Sequence, residues 1–204
     1  FYIGGAKRQP GQLYLQTDKG FQQLDQPAFH ADSVAEDIDA LFLDADQDGD
    51  LDLLVVSGGN EFRGQDEALL LRLYSNDGSG HFSRNRGALP DIYVNGSSIS
   101  AADYDNDNDL DLFIGGRSVP WKYGLPPESY LLENDGQGKF TDVTADHAAA
   151  FKQMGMVKDA QWADLDADGM LELIIVGEWM PITVMKNIDG KLQPTELPSL
   201  SNTH

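Results

Sequence analysis

The chain has 204 residues, of which 34 are acidic and 14 basic, for a formal net charge of −20; that balance excludes the basic footprint nucleic-acid binding requires. It contains no cysteine, so disulfides and thiolate metal sites are ruled out. Apolar residues make up 41% with no unbroken run of about 18, which is enough for a core and too little for a membrane-spanning helix.

The chain begins at Phe1 without Met or a leader and therefore reads as a mature product or an excised piece. Phe1-Tyr-Ile-Gly4-Gly5 is echoed by Val55-Val-Ser-Gly58-Gly59 and Leu112-Phe-Ile-Gly115-Gly116. Gln12-Leu-Tyr-Leu-Gln16 alternates with period two, turns through Asp18-Lys-Gly20 and returns as Phe21–Leu24, which predicts a hairpin.

A nine-residue acidic segment then appears three times. Asp44-Ala-Asp46-Gln-Asp48-Gly49-Asp50-Leu-Asp52 is followed by Asp103-Tyr-Asp105-Asn-Asp107-Asn108-Asp109-Leu-Asp111, 59 residues later, and by Asp164-Leu-Asp166-Ala-Asp168-Gly169-Met170-Leu-Glu172, 61 residues after that. Each runs straight into an apolar stretch: Leu53–Val56, Leu112–Ile114 and Leu173–Val176. A short apolar or small-residue strand precedes each one: Ile38–Leu43, Ser97–Ala102 and Met156–Trp162.

The hairpin also recurs. Leu71–Tyr74 turns through Asn76-Asp77-Gly78 into His81–Ser83, Tyr130–Leu132 turns through Asn134-Asp135-Gly136 into Lys139–Thr141, and Thr183–Met185 turns through Asn187-Ile-Asp189-Gly190 into Lys191–Gln193. Asn and Gly tolerate the positive φ such turns need. A unit of roughly 60 residues thus reads strand A, acidic loop, strand B, long loop, strand C, tight turn, strand D, which is an antiparallel propeller blade.

The expected fold is all-β, a propeller segment with a partial blade at residues 1–34 (strands B to D) and full blades at 35–96, 97–155 and 156–204. The tail from Leu197 to His204 has no acidic loop and too little apolar pattern to be the missing inner strand, so the expectation is a fragment of a larger propeller or an open segment completed by another chain.

Carboxylates this crowded repel one another unless a cation lies among them. A hard divalent ion, Ca²⁺, fits oxygens at loop positions 1, 3 and 5, here Asp44, Asp46 and Asp48; Asp103, Asp105 and Asp107; Asp164, Asp166 and Asp168. Position 7 (Asp50, Asp109, Met170) offers its carbonyl, and position 9 (Asp52, Asp111, Glu172) closes the cage. Position 6 needs a left-handed backbone, which suits Gly49, Gly169 and Asn108. An EF-hand would place Glu at position 12, where Val55, Ile114 and Ile175 stand instead. About three structural Ca²⁺ ions are therefore expected, in a calcium-rich setting outside the cell or in the periplasm.

D-x-D-x-D-G-x-x-D leading into an apolar strand and Gly-Gly, with this period, resembles the FG-GAP/VCBS repeats of integrin-α-type propellers. Gly96–Asp105, Leu112–Arg117, Gly155–Trp162 and Gly177–Pro181 look more narrowly like secreted bacterial proteins related to cartilage acidic protein, though no ASPIC/UnbV segment is present. The resemblance implies a calcium-bearing exported propeller and does not imply an enzyme.

Loops between strands B and C are expected opposite the acidic loops. They carry Arg63, Arg117, Trp121, Lys122, Tyr123 and Trp179, residues suited to a protein or glycan partner; the competing reading is that Trp121 and Trp179 pack between blades. His30, His81, His147 and His204 share no recurring partner. The alternative function is a propeller enzyme, a polysaccharide lyase or hydrolase, with its site on the loop-rich face.

Overall fold

The structure, a computed structural model, describes residues 1–195; the expectation for the tail at 197–204 lies outside that range. Among the described residues the strands form four antiparallel sheets, each with sequence neighbours side by side. The first contains β1 (Tyr2–Ile3), β2 (Gln12–Thr17) and β3 (Gly20–Leu24). The second contains β4 (Glu36–Leu43), β5 (Asp52–Gly58), β6 (Arg72–Asn76) and β7 (Phe82–Arg84). The third runs β8 (Gly96–Ala102), β9 (Asp111–Gly116), β10 (Tyr130–Asn134) and β11 (Phe140–Asp142). The fourth runs β12 (Met156–Ala163), β13 (Glu172–Glu178), β14 (Thr183–Ile188) and β15 (Lys191–Thr195). Gly96 opens β8 and so belongs to the third sheet, one residue ahead of the expected boundary.

The unbroken apolar runs after the acidic loops have a simple cause: the second strand of an inner sheet is covered on both faces. Leu53 and Val55 of β5 pack with Leu13, Phe29 and Phe82 toward the first sheet. Leu54 and Val56, pointing the other way, pack with Ile99, Ile114 and Leu132 of the third. In β9 the same alternation sends Leu112 and Ile114 to the second sheet and Phe113 to Phe151, Val157 and Leu173 beside the fourth. Each such fully buried side chain contributes roughly 1.5–3 kcal/mol. Val55, Ile114 and Ile175 lie buried in strands, so the helix-flanked alternative does not arise.

Two of the connectors between sheets hold short helices. α1 (Pro27–Ala31) starts on a proline, whose missing N–H costs nothing in a first turn. It inserts Phe29 edge-on against Tyr2 and Tyr74, at 5.4 and 4.9 Å between ring centres. α2 (Thr144–His147) leads into a 3₁₀ turn at Ala149–Gln153 that brings Phe151 to 5.0 Å from Phe113. Both are too short for helical periodicity to register.

Polar groups join the sheets as well. In β4 a bulge between Asp37 and Asp39 separates two carboxylates with different jobs. Asp37 Oδ1 receives Arg72 Nη2 at 2.5 Å, with both side chains about 5% exposed, while its Oδ2 accepts from the Tyr2 hydroxyl and the Gly5 N–H of the first sheet. Asp39 Oδ2 accepts from the Ile99 N–H of the third sheet at 2.9 Å.

Candidate metal centres and ligand face

The three acidic loops connect the first and second strands of the second, third and fourth sheets, and they share one backbone design. Position 6 takes positive φ in each: 94° at Gly49, 75° at Asn108 and 87° at Gly169. Position 4 does the same at Gln47, Asn106 and Ala167 (60–64°), a strain the sequence did not reveal. The position-1 carboxylate accepts the position-6 N–H at 3.0–3.1 Å: Gly49 to Asp44, Asn108 to Asp103 and Gly169 to Asp164. Position 5 accepts from position 7, with Asp50 donating to Asp48, Asp109 to Asp107 and Met170 to Asp168. These bonds hold the position-1 and position-5 carboxylates against the loop's own backbone.

The first two loops are also clasped by the next sheet. Asn134, at the end of β10, donates to the Ala45 carbonyl of the first acidic loop at 2.8 Å. Asn187 of β14 repeats the bond to the Tyr104 carbonyl of the second loop at 3.0 Å. The residue that begins the hairpin turn therefore also ties that turn to a neighbour's acidic loop.

Oxygen atoms of Asp44, Asp46 and Asp48 converge within 4.8 Å in the first loop, as do those of Asp103, Asp105, Asp107 and Asp111 in the second and Asp164, Asp166 and Glu172 in the third. Two expected ligands stand apart. Asp52 spends both oxygens on backbone N–H groups, those of Ala45 and Asn76. Asp168 turns to a cation supplied by the chain, Lys186, at 2.8 Å. Position 7 carries Asp50, a nearly buried Asp109, and Met170.

Unpartnered carboxylate oxygens are buried in all three loops, two in each of the first two and one, Glu172 Oε1, in the third. Asp44 Oδ1, Asp46 Oδ1, Asp109 Oδ1 and Asp111 Oδ2 are buried without a hydrogen-bond partner, and orphaned carboxylate oxygens of this kind are costly unless a cation meets them. Burial, aided by neighbouring carboxylates, pushes Asp111 up to about 8 and Asp109 up to about 6. Burial likewise raises Asp52 and Asp105. In the third loop the sign reverses, because Lys186 holds Asp168 below its ordinary value.

At the other end of the strands, the loops after β5, β9 and β13 surround a cleft of about 230 Å³ lined by Asn60, Asn95, Arg117, Tyr123, Lys158 and Glu178, among others. Glu178 receives Lys158 and the Tyr123 hydroxyl, each at 2.7 Å. A neighbouring hollow is lined by Arg63, Pro120, Trp121 and Lys122. The Arg63 guanidinium lies 4.6 Å over the Trp121 ring, whose Nε1 donates to the Asn60 carbonyl. Tyr123 meets Trp179 edge-on at 5.2 Å, and Gly124 leaves room for the Trp179 ring, which a Cβ there would touch at 2.5 Å. Five of the six ligand-face residues thus line the two hollows, and Trp179 packs on Tyr123 beside the first. Trp121, Tyr123 and Trp179 are 67%, 69% and 73% exposed, so the tryptophans are not buried between sheets. Both have positive φ, 63° and 58°, a strained setting for a bulky residue.

Sequence reasoning missed Lys158, Glu178, Asn60 and Asn95. Lys158 sits at a register shift in β12 between Val157 and Asp159, which re-aims a side chain that alternation alone would assign elsewhere.

No helix among the described residues is long and apolar enough to cross a membrane. No curated protein matches the chain. Residues 44–114 match the FG-GAP-like repeat family, a span that begins at the first acidic loop and ends in β9. The chain therefore carries an FG-GAP-like repeat within an all-β architecture of propeller blades.

Proposed function

We propose that this chain is a calcium-stabilised binding module of the extracellular type, whose acidic loops are structural and whose loop-rich face engages a protein or glycan. The observation that carries the binding role is the group of three exposed aromatic rings, each held by a neighbour, around a cleft with charged groups of both signs. Rigid aromatics with a polar rim are what recognition surfaces use, since little side-chain freedom is lost on contact. Calcium supplies a 2+ charge that takes roughly six to eight oxygens. Asp44, Asp46 and Asp48 would hold it in the first loop, and Asp103, Asp105, Asp107 and Asp111 in the second, with the Asp50 and Asp109 carbonyls in support. A need for calcium suits a setting outside the cell. The exposure of Phe1, Phe21 and Val176 on the terminal sheets supports a larger ring in which further segments cover them.

Screening against glycan and protein panels tests the face directly. A ligand of this surface is expected to lose at least about tenfold in affinity on Trp121→Ala or Trp179→Ala, with the melting temperature changed little because both rings are exposed. Ligands whose affinity is untouched by both substitutions would remove this face from the account.

A further inference from the structure

We infer that the third acidic loop takes its cation from the protein itself: the Lys186 ammonium fills it, and the chain holds two calcium ions where the repeat pattern predicts three. The inference rests on the reading that the first two loops bind calcium, and it concerns how the third departs from them.

Lys186 Nζ pairs with Asp166 Oδ2 and lies 2.8 Å from Asp168 Oδ2 and 3.4 Å from Glu172 Oε1. One ammonium, with three donors, thus faces three of the four acids in that loop. Glu172 is 2% exposed; its Oε1 lies within ion-pair reach of this ammonium but accepts no hydrogen bond.

The sheet register shows how the loops differ. Tyr74 pairs with Leu53, Leu132 with Leu112 and Met185 with Leu173, so Ser75, Glu133 and Lys186 occupy the same place beside their respective loops. In the second sheet that place is neutral. In the third it is an acid, engaged by the Tyr104 hydroxyl at 2.5 Å and His147 Nδ1 at 2.7 Å. Only the fourth sheet puts a cation there. A second, independent change points the same way: position 7 is Asp50 and Asp109 in the first two loops and Met170 in the third. The third loop therefore carries one negative charge fewer than the other two, with the position-7 carbonyl still present, and a resident ammonium already offsets part of its charge. Calcium entering would have to expel the ammonium from its hydrogen bonds to Asp166 and Asp168, and it would meet one orphaned oxygen, Glu172 Oε1, where each of the first two loops offers two. Calcium dependence thus belongs to the second and third sheets, and the fourth keeps its loop shaped without the metal.

Native mass spectrometry of the full chain titrated with CaCl₂ counts the ions. The wild type is expected to saturate at two, Asp103→Asn at one, and Lys186→Met at three. Lys186→Gln, which keeps a polar stem without the charge, is expected to match Lys186→Met. A wild type that takes three ions overturns the inference, as does a count that stays at two in both lysine variants. A wild type that takes none overturns the calcium reading beneath it and the inference with it.

Discussion

Replacing Arg72 with Met is expected to destabilise the folded chain by about 3–5 kcal/mol, the cost of leaving one member of a buried ion pair without its partner. For a domain of this size that lowers the melting temperature by roughly 6–20 °C. The loss is large because Asp37 serves two sheets: its other oxygen accepts from Tyr2 and Gly5, so an unpaired charge at this point loosens the first sheet from the second. Burial and the Asp37 carboxylate hold the Tyr2 hydroxyl far above its ordinary value, so the phenol stays protonated and keeps donating to Asp37. Asp37→Asn with Arg72→Met is expected to recover part of the loss, since no buried charge is then left alone. Thermal melts of both variants check this; an Arg72→Met protein that melts with the wild type contradicts it.

The metal-free chain is expected to become less stable as pH rises from about 5 to about 8. Asp111 and Asp109 sit at about 8 and about 6, above the ordinary carboxylate value of 3.8. Between the unfolded and folded values the native state binds more protons than the unfolded one, so its stability is fully present at the low end and is lost as these groups ionise. One such proton gives a slope of up to about 1.4 kcal/mol per pH unit. Calcium reverses the sign, because it binds only the ionised loop and is released on acidification. Denaturant melts at pH 5 and pH 8, on protein dialysed free of metal and again in CaCl₂, should therefore give opposite trends. Asp111→Asn is expected to flatten the metal-free trend and to abolish much of the calcium response. A metal-free chain more stable at pH 8 than at pH 5 would contradict this account of the second loop.

Local chemistry made much of this molecule readable in advance. The Asn-Asp-Gly turns place hairpins, because positive φ at a glycine or asparagine is a property of a few adjacent residues. Leu53–Val56 reads as a strand buried on both sides because its apolar run is continuous and short. The acidic loops stand out because like charges so close together need a counter-charge, and the structure brings carboxylate oxygens of each within 4.8 Å of one another. What stayed hidden depends on residues far apart in the chain. Lys186 reaches Asp166 across 20 positions and Arg72 reaches Asp37 across 35, and no spacing rule within a strand signals either contact. Asp52 occupies the same loop position as Asp111, yet both of its oxygens are taken by the Ala45 and Asn76 N–H groups; this is a difference of packing, and the letters are identical. The short helices at Pro27–Ala31 and Thr144–His147 escaped because tertiary burial of Phe29 and its neighbours, with no helical repeat, holds them in place. Lys158 was concealed by the register shift that turns it into the cleft.

The central claim is that the crowded carboxylates of the first two loops are held by calcium, and that this holds adjoining sheets together. Its most direct test is the melting temperature of the wild-type chain in about 1 mM CaCl₂ against the same protein in EGTA, alongside Asp103→Asn. For a Kd near 10 μM, each ion adds about 2.7 kcal/mol, so two ions are expected to raise the melting temperature by roughly 10–20 °C, with Asp103→Asn losing about half of that rise. Superimposable melts of the wild type in calcium and in EGTA would contradict the claim.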